Sequence, residues 1–293
     1  MEFKARYFAA GAITVALYML TDGYILQSLQ SENTTVVSMP SQAGHSTEAV
    51  FFLDGVQSSG SLRVKAILPV LQQNGRDVYA FDYDQNHFVA KNVISTILTA
   101  AKQYRKVTLV GVSMGGLLAA DTVLEAENQK LPIEFHVILV GAPSGGTDLQ
   151  NSNASIFGWL PVGPVTSAAM TDLFWAFSFK PPSMDSIQPG PDTTTLQQDW
   201  DVARHYPLNG WAGGIRYIVN HPAFTSGALA HIPMVYLSCK DDAMVKPSSY
   251  DEWSKVAGGL LPHMTVDSPH AALLEFPERW QAAFKWAFSV LPR

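Results

Sequence analysis

The apolar positions of this chain follow two periods in turn. From residue 49 onward, short and nearly continuous apolar runs alternate with stretches in which apolar residues recur every three to four positions. The runs at 49–53 (AVFFL), 77–81, 106–110 (KVTLV), 135–140 (FHVILV), 234–237 and 264–266 predict strands. The stretches at 61–73, 93–104, 115–127 and 276–290 predict helices. In the first of these Leu62, Ile67, Leu68 and Leu71 are apolar; in the last, Trp280, Phe284 and Phe288 share one face at i, i+4, i+8. Strands apolar on both sides, separated by amphipathic helices, predict an α/β fold with a mostly parallel sheet covered on both faces. Right-handed crossovers then make that sheet doubly wound. One more strand is expected near 34–39, inside an otherwise polar stretch from 27 to 48.

The alternation stops at about 145 and resumes at about 230. This stretch carries four of the seven tryptophans, Trp159, Trp175, Trp200 and Trp211, and proline pairs at 181–182 and at 189 and 191. Short helices are expected at 166–179 and 196–205. An insert of this length in a compact α/β unit reads as a cap or lid, with bounds at about 147–230. Its apolar side chains have two readings. They line an acyl or lipid pocket, with Trp159, Phe174 and Trp175 as the substrate contacts, or they pack a small core within the cap.

The first 26 residues differ from the rest. Lys4 and Arg6 precede an uncharged, mostly apolar run at 7–20, the shape of a secretory signal. Fourteen residues fall short of the ~20 needed to span a bilayer, and extending the run to Leu26 gives an imperfect anchor. Residues 1–26 are therefore expected to direct export or membrane association, cleaved or retained, and residues 27–293 to form the globular body.

Composition narrows the field further. Of 293 residues 47% are apolar and 15% charged, which excludes a disordered chain. The formal charge of −6 and the lack of a basic run argue against a nucleic-acid partner. The single cysteine, Cys239, excludes an intrachain disulfide and a cysteine-cluster metal site. The eight histidines show no metal-ligand spacing, so no metal and no cofactor are expected.

The chemistry concentrates at Gly111-Val112-Ser113-Met114-Gly115, a G-x-S-x-G sequence between a predicted strand and a predicted helix. That context is what a nucleophile elbow requires. Side chains at 111 and 115 would clash in so tight a turn, and Gly116 eases helix packing. Ser113 then stands at the carboxyl end of the sheet, and the Met114 amide, at a helix start, can donate to an anionic oxygen. A serine hydroxyl needs a general base, and the base needs an orienting carboxylate. Asp241 and Asp242 follow the strand ending at 237, and His270 follows the last strand. Asp148 is a further candidate acid. His263, His205 and His221 are competing histidines, read as surface, turn or cap residues. Cys239 reads as a small buried apolar residue.

On these residues the chain resembles the α/β-hydrolase superfamily, and within it the lipase- and esterase-like members, from about residue 49 to the C-terminus. The elbow falls on Gly111 to Gly115. Phe81-Asp82-Tyr83 and the loop Gly141-Ala142-Pro143-Ser144-Gly145-Gly146-Thr147 also resemble family segments. The resemblance selects Asp242, three residues before the apolar Val245, as the acid, and His270, before the final helix, as the base. It assigns the oxyanion hole to the amides of Met114 and Val56. It implies a serine hydrolase acting on small-molecule esters or lipids, with thioesterase, amidase or acyltransferase chemistry open to the same residues. One departure stands out: Asp54-Gly55 occupies the place where family members commonly carry His-Gly. A carboxylate there would oppose a developing oxyanion unless it turns away, and it favours the contrasting reading of a non-catalytic binding protein.

Overall fold

A computed structural model describes residues 34–41, 46–84, 88–150, 192–206 and 208–292, with a few positions between 13 and 21. Its centre is a seven-stranded sheet: β1 (Thr35–Met39), β2 (Glu48–Leu53), β3 (Asp77–Asp82), β4 (Lys106–Val112), β5 (Glu134–Val140), β6 (Met234–Asp241) and β7 (His263–Pro269). The order across the sheet is β1-β3-β2-β4-β5-β6-β7. Only the edge strand β1 runs antiparallel, against β3; the other pairings are parallel. Both the α/β class and the strand expected near 34–39 are observed.

The longer helices are α1 (Ala90–Ala101), α2 (Met114–Asn128), α3 (Thr193–His205), α4 (Leu208–Asn220), α5 (Ser249–Val256) and α6 (Pro277–Val290). Successive strand residues point to opposite faces, so each apolar strand feeds two cores. Phe51, Leu53, Leu109 and Leu139 pack with Ile97 of α1 and Leu117 of α2 on one face. Phe52, Val110, Ile138 and Val140 pack with Ile67, Leu71 and with Trp280 and Phe284 of α6 on the other.

The helix expected over 61–73 is instead a chain of short turns, Gly60–Arg63, Val64–Ala66, Leu68–Leu71 and Gln73–Gly75. Pro69 sits in the first turn of the third piece. It has no N–H with which to continue a helix arriving from residue 65. Ile67 breaks away at φ −120°, ψ −1°, and Asn74 takes φ 64°.

The helix expected over 196–205 is α3. It begins three residues earlier because Asp192 accepts hydrogen bonds from the Thr194 and Thr195 amides at 3.1 and 3.2 Å, an N-cap. Helix α4 was not expected. Gly210, Gly213 and Gly214 each weaken a helix by ~1 kcal/mol. Ile215 and Ile218 are nevertheless fully packed against the core, each contributing ~1.5–3 kcal/mol of burial, and that outweighs the propensity.

The expected helix at 166–179 lies outside the described residues, as do Trp159, Phe174, Trp175 and most of 1–26. Among the described residues no helix is long and apolar enough to cross a membrane.

Strand order reverses at β2: β3 lies on one side of it and β4 on the other. Loops leaving the carboxyl ends of β2 and β4 therefore part company, and the crevice between them is where ligands bind in open α/β sheets. The loop after β2 is Asp54-Gly55-Val56, and the turn after β4 holds Ser113.

Candidate active site

Ser113 lies between β4 and α2, at the N-cap position, with φ 51°, ψ −122°, a conformation that costs a non-glycine residue about 1–3 kcal/mol. The turn is held by two backbone bonds, Ser113 N–H to Val140 O at 2.9 Å and Gly116 N–H to Ser113 O at 3.0 Å. The flanking glycines are obligatory. A Cβ on Gly111 would lie 2.5 Å from the Gly115 carbonyl oxygen, and one on Gly115 would lie 2.0 Å from the Leu53 carbonyl oxygen. Gly55 approaches from the other side: its missing Cβ would lie 3.0 Å from Ser113 Cβ and 3.4 Å from Ser113 Oγ.

His270 Nδ1 and Asp242 Oδ2 form a 2.7 Å hydrogen bond. The other carboxylate oxygen of Asp242 accepts from the Met244 and Val245 amides, both at 2.8 Å. That turn is the physical content of the aspartate-to-Val245 spacing. Burial pushes the Asp242 carboxyl up. The bond and charge of His270 and the two amides outweigh that push and hold it below the usual carboxylate range.

The pair stands next to the elbow through Gly141, the residue after Val140. A Cβ on Gly141 would lie 3.2 Å from Asp242 Oδ2 and 3.3 Å from His270 Nδ1. Gly141 takes φ +49°, a region that favours glycine. Its loop is pinned by three donors on the Ala142 carbonyl, from Tyr236 Oη, Ser249 Oγ and Trp253 Nε1 at 3.2, 2.6 and 2.9 Å. Ser113 Oγ and His270 share no hydrogen bond in this structure. Such contacts are often loose without substrate and tighten in the complex.

Among the described residues, neither Val56 N–H nor Met114 N–H donates a hydrogen bond. The Gly55 amide is taken by its neighbour's side chain, Asp54 Oδ1, at 2.7 Å. Asp54 is buried, and the same Oδ1 is paired with Arg63 Nη1 at 3.2 Å.

Residues 22–283 match the description alpha/beta hydrolase family. This chain belongs to the α/β-hydrolase family. No curated protein sequence matches it. Among solved structures the hydrolase resembles an esterase from Rhodococcus sp., with 17% identity and a TM-score of 0.59 over 89% of this chain and 97% of that one. It also resembles an enol-lactonase from Burkholderia xenovorans, with 15% identity and a TM-score of 0.61 over 87% and 96%. A bromoperoxidase from Bacillus anthracis is similar at 18% identity and a TM-score of 0.61, over 87% and 96%. Identities this low carry the fold and no more.

The competing residues of the hydrolase are engaged elsewhere. Asp241 is exposed at the end of β6. Asp148 is buried and holds the loop after β5, accepting from Ser144 N–H and Oγ at 2.7 Å each. His263 stacks on Tyr250 with ring centroids 4.3 Å apart and bonds Ser238 Oγ at 2.8 Å. His205 meets the Asp201 carbonyl, and His221 meets Asp121. Cys239 is buried, and burial pushes its thiol up to about 12, so it is a protonated thiol rather than a nucleophile.

Among the described residues, the one group of donor atoms close enough to hold a metal is Cys239, Asp242 and His270. Those donors are already engaged. Asp242 and His270 bond each other, and the Cys239 sulfur accepts the Ala271 amide at 3.3 Å.

Sequence reasoning missed three contributors: Gly141 behind the Asp242–His270 pair, Gly214 against Val56 and Met114, and Arg63 against Asp54. Gly141 lay inside the recognised loop, and its isolated position after an apolar strand was a usable signal for a tight turn. The other two contacts are long-range and leave no mark on local spacing.

Proposed function

We propose that this hydrolase cleaves carboxylic esters through Ser113, His270 and Asp242, with the amides of Val56 and Met114 as the oxyanion hole. The observation that supports this reading is a strained serine after β4, a hydrogen-bonded Asp242–His270 pair from the ends of β6 and β7 beside Gly141 after β5, and two amides with no hydrogen-bond acceptor among the described residues. Ser113 Oγ attacks the ester carbonyl carbon while His270 Nε2 takes its proton, and Asp242 holds the imidazole and stabilises its cation. The carbonyl oxygen becomes an anion facing the two N–H groups. The C–O bond to the alcohol breaks as His270 returns the proton to it, leaving an acyl-Ser113. Water, deprotonated by His270, then releases the acid and restores the serine.

The pairing of Asp54 with Arg63 supports catalysis over the non-catalytic reading, because the guanidinium offsets its charge. Substrate choice is assigned to the insert, with Trp159, Phe174 and Trp175 the first residues to vary, and export or membrane association to residues 1–26.

The test is a fluorophosphonate probe on the purified protein, the modified residue mapped by peptide mass, with Ser113→Ala alongside. Labelling at Ser113 that vanishes in the variant is expected, followed by turnover in a p-nitrophenyl ester series. A folded wild type that neither labels nor turns over any ester sinks the reading.

A further inference from the structure

We propose that Arg63 is a positioning residue that aims the Val56 amide and fastens cap helix α3 to the oxyanion strap, residues 54–59. The inference deepens the proposed function and rests on it.

The strap is fixed peptide by peptide. Tyr83 Oη donates to the Asp54 carbonyl at 3.0 Å. Asp54 Oδ1 accepts the Gly55 N–H at 2.7 Å. Ser58 Oγ donates to the Gly55 carbonyl at 3.1 Å. A trans peptide is planar, so its N–H points opposite to its C=O. Fixing the Gly55 carbonyl therefore fixes the direction of the Val56 N–H. The Asp54 side chain is the hinge of this arrangement, because it holds the first peptide of the strap and is itself held by Arg63 Nη1 at 3.2 Å.

The same guanidinium reaches the cap. Arg63 Nε lies 3.4 Å from Asp199 Oδ2 on α3, and Gln57 Nε2 donates to the Ala203 carbonyl of the same helix at 2.9 Å. Asp54, Asp199 and the nearby Glu275 are all buried. Each has one buried carboxylate oxygen without a hydrogen-bond partner, Asp54 Oδ2, Asp199 Oδ1 and Glu275 Oε2. Two buried carboxylates, Asp54 and Asp199, thus share one planar cation, whose Nε meets Asp199 as an ion pair without a hydrogen bond. Arginine suits the task, because its fork serves two carboxylates at a fixed angle, whereas lysine offers one compact charge. The arrangement also accounts for an aspartate at the position where the family commonly has histidine: Asp54 with Arg63 orders the strap in its place.

The experiment compares Arg63→Lys, Asp54→Asn and Asp199→Asn with wild type, with folding checked by circular dichroism. Two readouts are taken: kcat and KM on a p-nitrophenyl ester, and amide hydrogen exchange of the peptide spanning 54–59. Removing an oxyanion donor outright costs ~10²–10³ in rate. Misaiming one should cost about 10-fold in kcat, with KM within about two-fold, in Arg63→Lys and Asp54→Asn. Exchange of the strap should rise in all three variants. Wild-type kcat and wild-type exchange in folded Arg63→Lys and Asp54→Asn would overturn the proposal, as would a fall in kcat with exchange unchanged. Should Arg63→Lys fail to fold, Asp54→Asn and Asp199→Asn carry the same test. A wild type without turnover or Ser113 labelling overturns the functional reading alone, since exchange still reads the tether.

Discussion

Gly214 of α4 and Val56 of the oxyanion strap meet with no room between them: a Cβ on Gly214 would lie 2.6 Å from Val56 Cγ2 and 3.2 Å from Met114 Sδ. Helix α4 thus rests on the side chains of both residues whose amides are proposed to bind the oxyanion. Gly214→Ala sets two effects against each other. Helix propensity favours alanine by ~1 kcal/mol, and overpacking costs ~1–3 kcal/mol. Val56 is stiff at χ1 and cannot swing aside cheaply, so overpacking should win. The expected result is a melting temperature lower by a few degrees together with a lower kcat. A variant more stable than wild type with full activity would show that α4 yields freely at this point.

Ser113 offers a cleaner separation of stability from activity. Its φ of 51° is strained for serine and free for glycine. Ser113→Gly removes ~1–3 kcal/mol of strain and adds ~0.5–1 kcal/mol of unfolded-state entropy. The variant should be inactive yet more stable by about 1 kcal/mol in urea unfolding. Loss of stability would mean that the hydroxyl, not the backbone, governs this turn.

Asp242 and the buried Asp199 should pull stability in opposite directions with pH. Asp242 is held below its ordinary range, so its contribution is present above the unfolded carboxylate value of 3.8 and is lost as pH falls through its folded value. Asp199 is the reverse. Burial pushes it up to about 6 against the pull of Arg63, and Asp54 and Glu275 add to the rise. The folded protein therefore holds a proton there that the unfolded chain releases, so this contribution is full below 3.8 and is lost as pH rises through about 6. Asp199→Asn removes that loss. The melting temperature of the variant relative to wild type should rise between pH 4 and pH 7. A difference independent of pH would place the Asp199 proton elsewhere.

Local spacing carried what was legible beforehand. The elbow could be read because Gly111, Ser113 and Gly115 lie within five residues, and Asp242 because Val245 follows in the same turn. Strands β2 to β6 were visible as apolar runs because each packs on both faces, and β7 through Met264 and Val266 on its one buried face. Helix α4 was hidden by its own glycines, whose purpose shows only when Phe88, Val56 and Met114 are brought against them. The 61–73 stretch has helical periodicity, yet Pro69 and the break at Ile67 divide it. Arg63, Asp54 and Asp199 are spread over 146 positions of chain, and their ion pairing is a property of the fold.

Gly141 provides the sharpest test of the Asp242–His270 pair. Alanine at this position meets two penalties at once. A φ of +49° costs an L-residue ~1–2 kcal/mol. Its Cβ would also press on Asp242 Oδ2 at 3.2 Å, Cys239 Sγ at 3.3 Å and His270 Nδ1 at 3.3 Å. The backbone penalty lowers stability whatever the neighbours do. The crowding acts on the one hydrogen bond that sets the tautomer of His270, whose loss costs ~10⁴ in kcat in a serine protease triad. Gly141→Ala should therefore lose about 10-fold or more in kcat while remaining folded at 25 °C. Cys239→Ala in the same background opens space on one side and should recover part of the loss. Recovery of activity without recovery of melting temperature would assign the defect to the Asp242–His270 contact. Recovery of neither would assign it to the backbone at Gly141.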